Sequence, residues 1–158
     1  MIEDGLASAE SAGTKVPSSA GWLGGLGAAP FIGLAGATPF LVGSARMLVA
    51  RALVAYGAII LSFLGGVHWG LAIGPERGSE RGKLPARLIL SVIPSLAGWT
   101  ALLFAETTGL FILAAAIATM LWVDVRATRL GQAPQWYPKL RIPLTVAVVA
   151  ALLFGAMA

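Results

Sequence analysis

The residues of this sequence that could do chemistry gather around a single histidine. His68 is the only histidine of the chain and lies in the segment 62–70, which reads SFLGGVHWG, within a long apolar run. An ionisable side chain in such a run is costly in lipid and usually faces the bundle interior or a wet cavity. An imidazole can take up a proton near neutral pH, so a proton relay, a ligand contact or a general base is open to it.

Three other polar residues are placed to meet this histidine. His68 and Ser91 each lie about one and a half helical turns from the same predicted membrane boundary, so they share a depth. Either the imidazole hydrogen-bonds Ser91 or Ser95 and locks the second span to the third, or these residues form a functional pocket with Asp124. In turn, Asp124 either orients His68 or forms an interfacial ion pair with one of the nearby cations Arg126, Arg129 and Arg141.

Other chemistries lack their residues. The chain has no cysteine, which excludes disulfides, thiolate catalysis and Cys-ligated metals. We predict no metal site, because the chain has a single histidine and Asp124 is the nearest candidate carboxylate. We find no phosphate-binding loop, zinc-protease motif or nucleophile elbow, so we expect no cofactor and no enzyme activity. The predicted spans also lack the paired carboxylates typical of a proton pump.

The composition indicates that lipid surrounds these residues. The 158 residues suffice for one domain, with 58% apolar and only 11% charged residues, against about a quarter charged in soluble proteins. The net charge of +4 comes from basic residues between apolar runs. Such residues favour lipid headgroups as partners and argue against nucleic acid.

Five runs have the length of about 20 residues that a membrane-spanning helix needs. We therefore predict an all-α integral membrane bundle of five helices in a domain over residues 21–158, after a disordered polar tail over residues 1–20. The tail resembles neither a signal peptide nor a transit peptide. Pro30 and Pro39 predict a kink or break in the first helix. The predicted helices cover residues 21–43, 48–73, 86–104, 108–125 and 140–157.

Basic residues predict the orientation of the bundle. Nine of the eleven Lys and Arg residues fall on the side of the N-terminus, and only Arg46 and Arg51 fall on the other. The positive-inside rule then predicts a cytoplasmic N-terminus and an outside C-terminus. The bulky residues Trp22, Trp69, Trp136 and Tyr137 fall near boundaries on the cytoplasmic side and are predicted to anchor the interface.

Small residues predict how the second helix packs. Ser62, Gly66 and Gly70 recur every four residues and form a strip on which another helix could pack closely in lipid. His68 lies about 200° around the helix from Gly66. The second helix should therefore have two protein-facing sides and lie in the middle of the bundle.

Three segments resemble a known family. Segment 62–70, residues 91–95 (SVIPS) and residues 134–141 (PQWYPKLR) resemble a bacterial family of polytopic membrane proteins with a domain of unknown function. That family also includes the eukaryotic mitochondrial transmembrane protein 69. The resemblance runs from about residue 24 to the C-terminus. It implies a multi-pass protein of the bacterial inner membrane and carries no activity.

Three functions are open. The predicted packing strip, the short loops and the lack of catalytic groups favour a non-enzymatic accessory or assembly subunit of a larger membrane complex, such as a respiratory or other energy-transducing one. Its partners would be membrane lipids and other membrane protein subunits. The alternative is a small transporter, or a protein that binds a lipid or quinone, with a polar pocket around His68. A membrane enzyme with His68 as general base ranks last.

Overall fold

A computed structural model describes residues 15–74 and 84–158, and every long element in them is a helix. Residues 1–14 of the predicted tail, and Arg77, Arg81 and Lys83 of the predicted basic loop, lie outside the described residues. A single 3-10 turn, Thr38–Phe40, follows the first helix. The five helices are α1 Ser18–Ala37, α2 Gly43–Ile73, α3 Leu84–Ala101, α4 Glu106–Arg129 and α5 Tyr137–Met157.

All five helices are long and apolar enough to cross a membrane. The prediction of an all-α bundle with five spans is therefore confirmed. The largest differences are between the first two helices, where α1 ends at Ala37 and α2 begins at Gly43, against predicted ends at residues 43 and 48. In addition, α4 runs to Arg129 and α5 begins at Tyr137, against predicted ends at residues 125 and 140. Arg126 and Arg129 lie in the last turn of α4, where cations interact favourably with the helix dipole. The helix therefore continues past its apolar segment.

Of the two prolines in the predicted first span, only Pro39 interrupts the α-helix. α1 is a continuous helix across Pro30, and it stops at Ala37, just before the 3-10 turn that contains Pro39. Pro39 has no backbone N–H to donate to the preceding turn, which accounts for the stop. The hydroxyl of Thr38 donates a hydrogen bond to the carbonyl of Leu34 at 3.0 Å. This bond satisfies one of the carbonyls left free at the helix end.

α2 is the central helix of the bundle, since it contacts each of the other four. It packs most closely on α3, where a Cβ at Gly65 would collide with the carbonyl oxygen of Ser91. A Cβ at Gly98 would approach the Ala58 carbonyl oxygen to 3.0 Å. In both places the obstacle is backbone, so glycine permits an approach that no larger residue would allow. The predicted central position of α2 is confirmed.

The predicted packing strip faces away from the rest of the chain. Gly66 and Gly70 are exposed, and a Cβ at either would meet no atom within 4 Å. Ser62 is half-buried. The prediction that this strip packs inside the bundle is wrong, because the buried face lies one residue around the helix, at Leu61, Gly65 and His68. α2 has one protein-facing side, and the strip is on the other.

Candidate functional site

Three charged or ionisable side chains meet in the interior of the bundle. The Nε2 atom of His68 on α2 lies 2.8 Å from Oδ1 of Asp124 on α4. Nε of Arg141 on α5 donates to Oδ2 of the same carboxylate at 2.6 Å. Asp124 is 0% exposed, and His68 and Arg141 are each 8% exposed. We call these three residues the charge cluster, and it joins three helices at one carboxylate.

The buried groups of the charge cluster are stabilised by their bonds to one another. An isolated buried charge is strongly unfavourable, whereas a buried pair with good hydrogen-bond geometry offsets much of the desolvation cost. His68 and Arg141 are both bonded to the Asp124 carboxylate, and Tyr137 at the start of α5 also interacts with it. The backbone carbonyl of Asp124 accepts from the hydroxyl of Thr128, one turn later on α4, at 3.2 Å. The carboxylate is therefore held in one orientation.

The two predicted serines do not take the role given to them. The hydroxyl of Ser91 donates to the backbone carbonyl of Leu88 at 2.6 Å, and Ser95 is half-buried on α3. The hypothesis that His68 bonds one of these serines and so locks α2 to α3 is wrong. The imidazole is bonded to the Asp124 carboxylate, which accepts a stronger hydrogen bond than a neutral hydroxyl. His68 therefore links α2 to α4.

Asp124 makes both of the contacts that the two sequence hypotheses proposed, but it makes them in the interior of the bundle. It contacts His68, as one hypothesis required, and it pairs with Arg141, as the other required. The pair is buried rather than interfacial, since α4 continues for more than a turn beyond Asp124. Asp124, which lies at the end of the predicted fourth span, is therefore well inside α4. The predicted span ends one residue after Asp124 because Arg126 and Arg129 follow it in the sequence.

An apolar cleft of about 440 Å³ lies beside the charge cluster, between α1, α2 and α5. Leu23, Phe31, Leu64 and Leu144 are among its apolar lining residues. Tyr137, Arg141 and Thr145 of α5 form its polar part. Two buried polar atoms of these residues, Nη2 of Arg141 and Oγ1 of Thr145, have no hydrogen-bond partner among the described residues. The cleft therefore combines apolar walls with two unused donors.

The dimensions of the cleft match one leaflet of a bilayer. Its lining runs from Ala20 to Phe31 along α1, which is about 16 Å of helix, or roughly half of a hydrocarbon core of about 30 Å. Leu23 and Phe63 line it and are also exposed on the outside of the bundle. The cleft is therefore open toward the surroundings of α1 and α2.

A second, smaller cavity of about 90 Å³ lies on the other side of the charge cluster. His68 lines it, together with Arg87 of α3, Arg126 of α4 and Gln132 of the connection between α4 and α5. We call this cavity the basic recess. Its volume has room for several water molecules, since one water needs about 10–15 Å³, and these four polar side chains interrupt an otherwise apolar lining. His68 thus lines the basic recess, and Arg141, which is bonded to the same carboxylate, lines the cleft.

Sequence reasoning missed Thr145 as a site residue, named Arg141 only as an interfacial partner of Asp124, and misjudged Tyr137. Tyr137 was predicted to be an interface anchor, but it lines the cleft and interacts with Asp124. Trp136 packs edge-on against it, with ring centroids 6.0 Å apart, while Trp22 and Trp69 are exposed. Arg141 did carry a signal, because it lies inside the predicted fifth span. Charge counting instead placed it among the basic residues on the side of the N-terminus.

Comparison with known proteins identifies relatives of this chain. The family described as "Protein of unknown function (DUF3429)" matches residues 16–157. Transmembrane protein 69 of Xenopus tropicalis is 40% identical over 134 residues, covering 77% of this chain and 51% of that protein. Transmembrane protein 69 of Mus musculus is 31% identical over 124 residues, covering 73% and 50%.

The chain spans about half the length of these curated relatives. No solved structure matches it. The family match includes all five helices and every residue of the charge cluster. This multi-pass membrane protein therefore belongs to the family of unknown function DUF3429 and is homologous to transmembrane protein 69.

Proposed function

We propose that this protein binds an amphipathic, lipid-class molecule in the cleft between α1, α2 and α5. The tail of the ligand occupies the apolar part of the cleft, and acceptor oxygens of its head meet Arg141 and Thr145. The observation that carries the proposal is the polar end of an otherwise apolar cleft, which Tyr137, Arg141 and Thr145 form. Two buried polar atoms of Arg141 and Thr145 have no hydrogen-bond partner among the described residues. A volume of about 440 Å³ lies within the usual range for small-molecule sites.

The energetics of Arg141 support a ligand with acceptor oxygens. A buried donor without a partner costs about 1–3 kcal/mol, and more when the group is charged. Nε of Arg141 is satisfied by Asp124, but Nη2 is not. Thr145 lies one turn further along α5 and leaves its hydroxyl free beside the same cleft. Because both atoms are buried, an acceptor oxygen at this end of the cleft would reach them after a rotation of their side chains.

The depth of these donors also suits an amphiphile. Arg141 lies four residues from the start of α5, which is about 6 Å along the helix. The head would therefore lie near the end of a span and the tail would extend toward the bilayer centre. We further propose that this end faces the cytoplasm, in the inner membrane of a bacterium. The distribution of basic residues supports that orientation.

We infer that the protein acts by binding and not by catalysis. Both oxygens of Asp124 are occupied by His68 and Arg141, and the Ser91 hydroxyl is committed to a backbone carbonyl. A histidine and a carboxylate in contact could in principle activate a nucleophile. The described surroundings of His68 offer arginines and apolar side chains instead.

Filling the cleft tests the proposal. Gly27 lines the cleft, and a side chain there would enter open space. Gly27→Leu should therefore lower the affinity for labelled twelve-carbon amphiphiles, dodecanesulfonate and methyl dodecanoate, by at least about tenfold, because about 1.4 kcal/mol suffices for that factor. The protein is studied in phosphatidylcholine nanodiscs by scintillation proximity. The matched control is Gly25→Leu, an equally open glycine of α1 outside the cleft.

Thr145→Val tests the polar end. It should weaken binding of both amphiphiles by about fivefold to tenfold, because one hydrogen bond contributes about 1 kcal/mol. Thr119→Val serves as the control, because its exposed hydroxyl already donates to the Ala115 carbonyl. If neither amphiphile binds the wild-type protein, or if Gly27→Leu binds both as well as Gly25→Leu does, the cleft is not a ligand site.

A second candidate function is that of an accessory or assembly subunit of a larger membrane complex. The observation that favours it is the strip of Ser62, Gly66 and Gly70, in which both glycines are exposed and no helix among the described residues covers them. A helix of another subunit could pack there closely. Purification in mild detergent should then recover a stoichiometric partner that Gly66→Leu releases and Gly33→Leu, at another open glycine, retains. Recovery of the protein alone would rule this candidate out.

A further inference from the structure

The charge cluster forms a continuous connection between the two cavities. His68 lines the basic recess, Arg141 lines the cleft, and the Asp124 carboxylate between them is fully buried. Both links are short, at 2.8 Å and 2.6 Å. A change of charge at one end of such a connection alters the electrostatic potential at the other, and the low dielectric of the interior strengthens the effect.

The bonding at His68 indicates which nitrogen is free to gain a proton. Nε2 faces a carboxylate oxygen at 2.8 Å. A carboxylate can only accept, so Nε2 carries a hydrogen in the neutral as well as the charged imidazole. The second proton is therefore gained at Nδ1. The basic recess beside His68 has room for the water that would deliver it.

The charges of the cluster can balance in two ways, with His68 neutral and no anion in the cleft, or with His68 protonated and an anion beside Arg141. With His68 neutral, the negative Asp124 and the positive Arg141 cancel. An anionic head beside Arg141 would leave one net negative charge in a low-dielectric interior, which is costly. Protonation of His68 would restore neutrality. A neutral head, such as an ester or a quinone carbonyl, would create no such imbalance.

We propose that the cleft takes an amphiphile with an anionic head, and that its binding is coupled to the uptake of one proton by His68 through Asp124. This inference rests on the proposed ligand site and adds the charge of the ligand and its regulation by pH. Low pH loads the cleft, and rising pH releases the ligand. The shared chemistry of the ligand is a carboxylate or phosphate head on an apolar chain.

The groups around His68 make the coupling specific. Arg87 of α3 and Arg126 of α4 line the basic recess, and Arg141 and Tyr137 of α5 contact the carboxylate from the cleft side. Among these described groups Asp124 alone is acidic. The arginines oppose a further positive charge, and Asp124 favours it. An added anion in the cleft therefore shifts the balance toward protonated His68.

The test compares two probes across pH in phosphatidylcholine nanodiscs. Dodecanesulfonate keeps its negative charge at every pH used, and methyl dodecanoate is neutral. The affinity of wild-type protein for dodecanesulfonate should rise as pH falls from 8 to 5.5, by at most about tenfold per pH unit, because one proton is linked. The affinity for methyl dodecanoate should not change with pH. In His68→Gln the dodecanesulfonate affinity should lose its pH dependence.

His68→Gln keeps an amide N–H where Nε2 donates, so that its bond to Asp124 can persist. Should this variant fail to fold, calorimetry on wild-type protein in two buffers of different ionisation enthalpy counts the protons directly. One proton should be taken up with dodecanesulfonate and none with methyl dodecanoate. Mass spectrometry of a solvent extract then distinguishes a fatty acid from an anionic phospholipid as the native ligand.

The outcomes separate the two proposals. Binding of both probes with a pH-independent affinity for dodecanesulfonate would overturn the coupling and leave the ligand site standing. A pH dependence that survives in folded His68→Gln would also overturn it. Binding of methyl dodecanoate alone would show that the head is neutral. Failure of both probes to bind would remove the ligand site and the coupling with it.

Discussion

Arg141 and Asp124 form a buried ion pair in which only part of the guanidinium is used. Nε of Arg141 lies 2.6 Å from Oδ2 of Asp124, whereas Nη2 of the same side chain has no hydrogen-bond partner within residues 15–74 and 84–158. Nε of this arginine therefore stabilises the contact between α4 and α5, and the same side chain lines the cleft. A structural and a ligand-binding role can coexist in one residue because the guanidinium carries several donors in fixed directions.

Asp124→Asn should be the most damaging substitution in the bundle. It removes the negative charge and leaves Arg141 buried without compensation, a loss of about 3–5 kcal/mol. Thermal unfolding in detergent, followed by circular dichroism, measures the change. The control is Glu106→Gln, which breaks the exposed pair with Arg51 and should alter the melting temperature little. Equal effects of the two substitutions would contradict the central role of the charge cluster.

Gly65→Ala should destabilise the protein although the residue is small. Its Cβ would collide with the Ser91 carbonyl oxygen and force α2 and α3 apart, at a cost of about 1–3 kcal/mol. Gly66→Ala is the control one residue along, where a Cβ meets open space. The control should be neutral or slightly stabilising, because alanine favours helix over glycine. The same unfolding measurement compares the pair, and a reversed order would show that α2 packs by another face.

Thr145→Val should leave the ligand-free protein as stable as the wild type, or more so. The substitution removes a buried hydroxyl that has no partner, and with it a desolvation cost of about 1–3 kcal/mol. Unfolding of delipidated protein tests this expectation. A clear loss of stability would show that the hydroxyl is satisfied without a ligand, and the argument from Thr145 to a ligand would then fail.

The absence of cysteine makes the orientation testable by single-cysteine labelling. Gln135→Cys lies in the connection before α5, and Thr107→Cys lies in the first turn of α4, at the opposite end of the bundle. We expect a membrane-impermeant maleimide to label Thr107→Cys in intact bacterial cells and Gln135→Cys only after permeabilisation. The reverse pattern would place the N-terminus outside and move the basic recess to the other face.

Much of the fold could be predicted because lipid imposes a simple requirement. Each span must satisfy its own backbone hydrogen bonds over the thickness of the bilayer, so a run of apolar residues implies a helix. The five spans follow from this rule, and the importance of His68 follows from the cost of an ionisable group in lipid. The ends of the helices are harder to predict, because charged residues such as Arg126 and Arg129 end the apolar run while the helix itself continues.

The sequence by itself thus determined the number of spans, their order and the one histidine around which polar residues gather. Only the tertiary structure decided that His68 meets Asp124 and not Ser91, that Arg141 completes the cluster, and that Gly65 packs while Gly66 does not. The reason is geometric. Hydropathy depends on position along one chain, whereas partner choice depends on how neighbouring helices rotate, and one residue of register turns a side chain by about 100°.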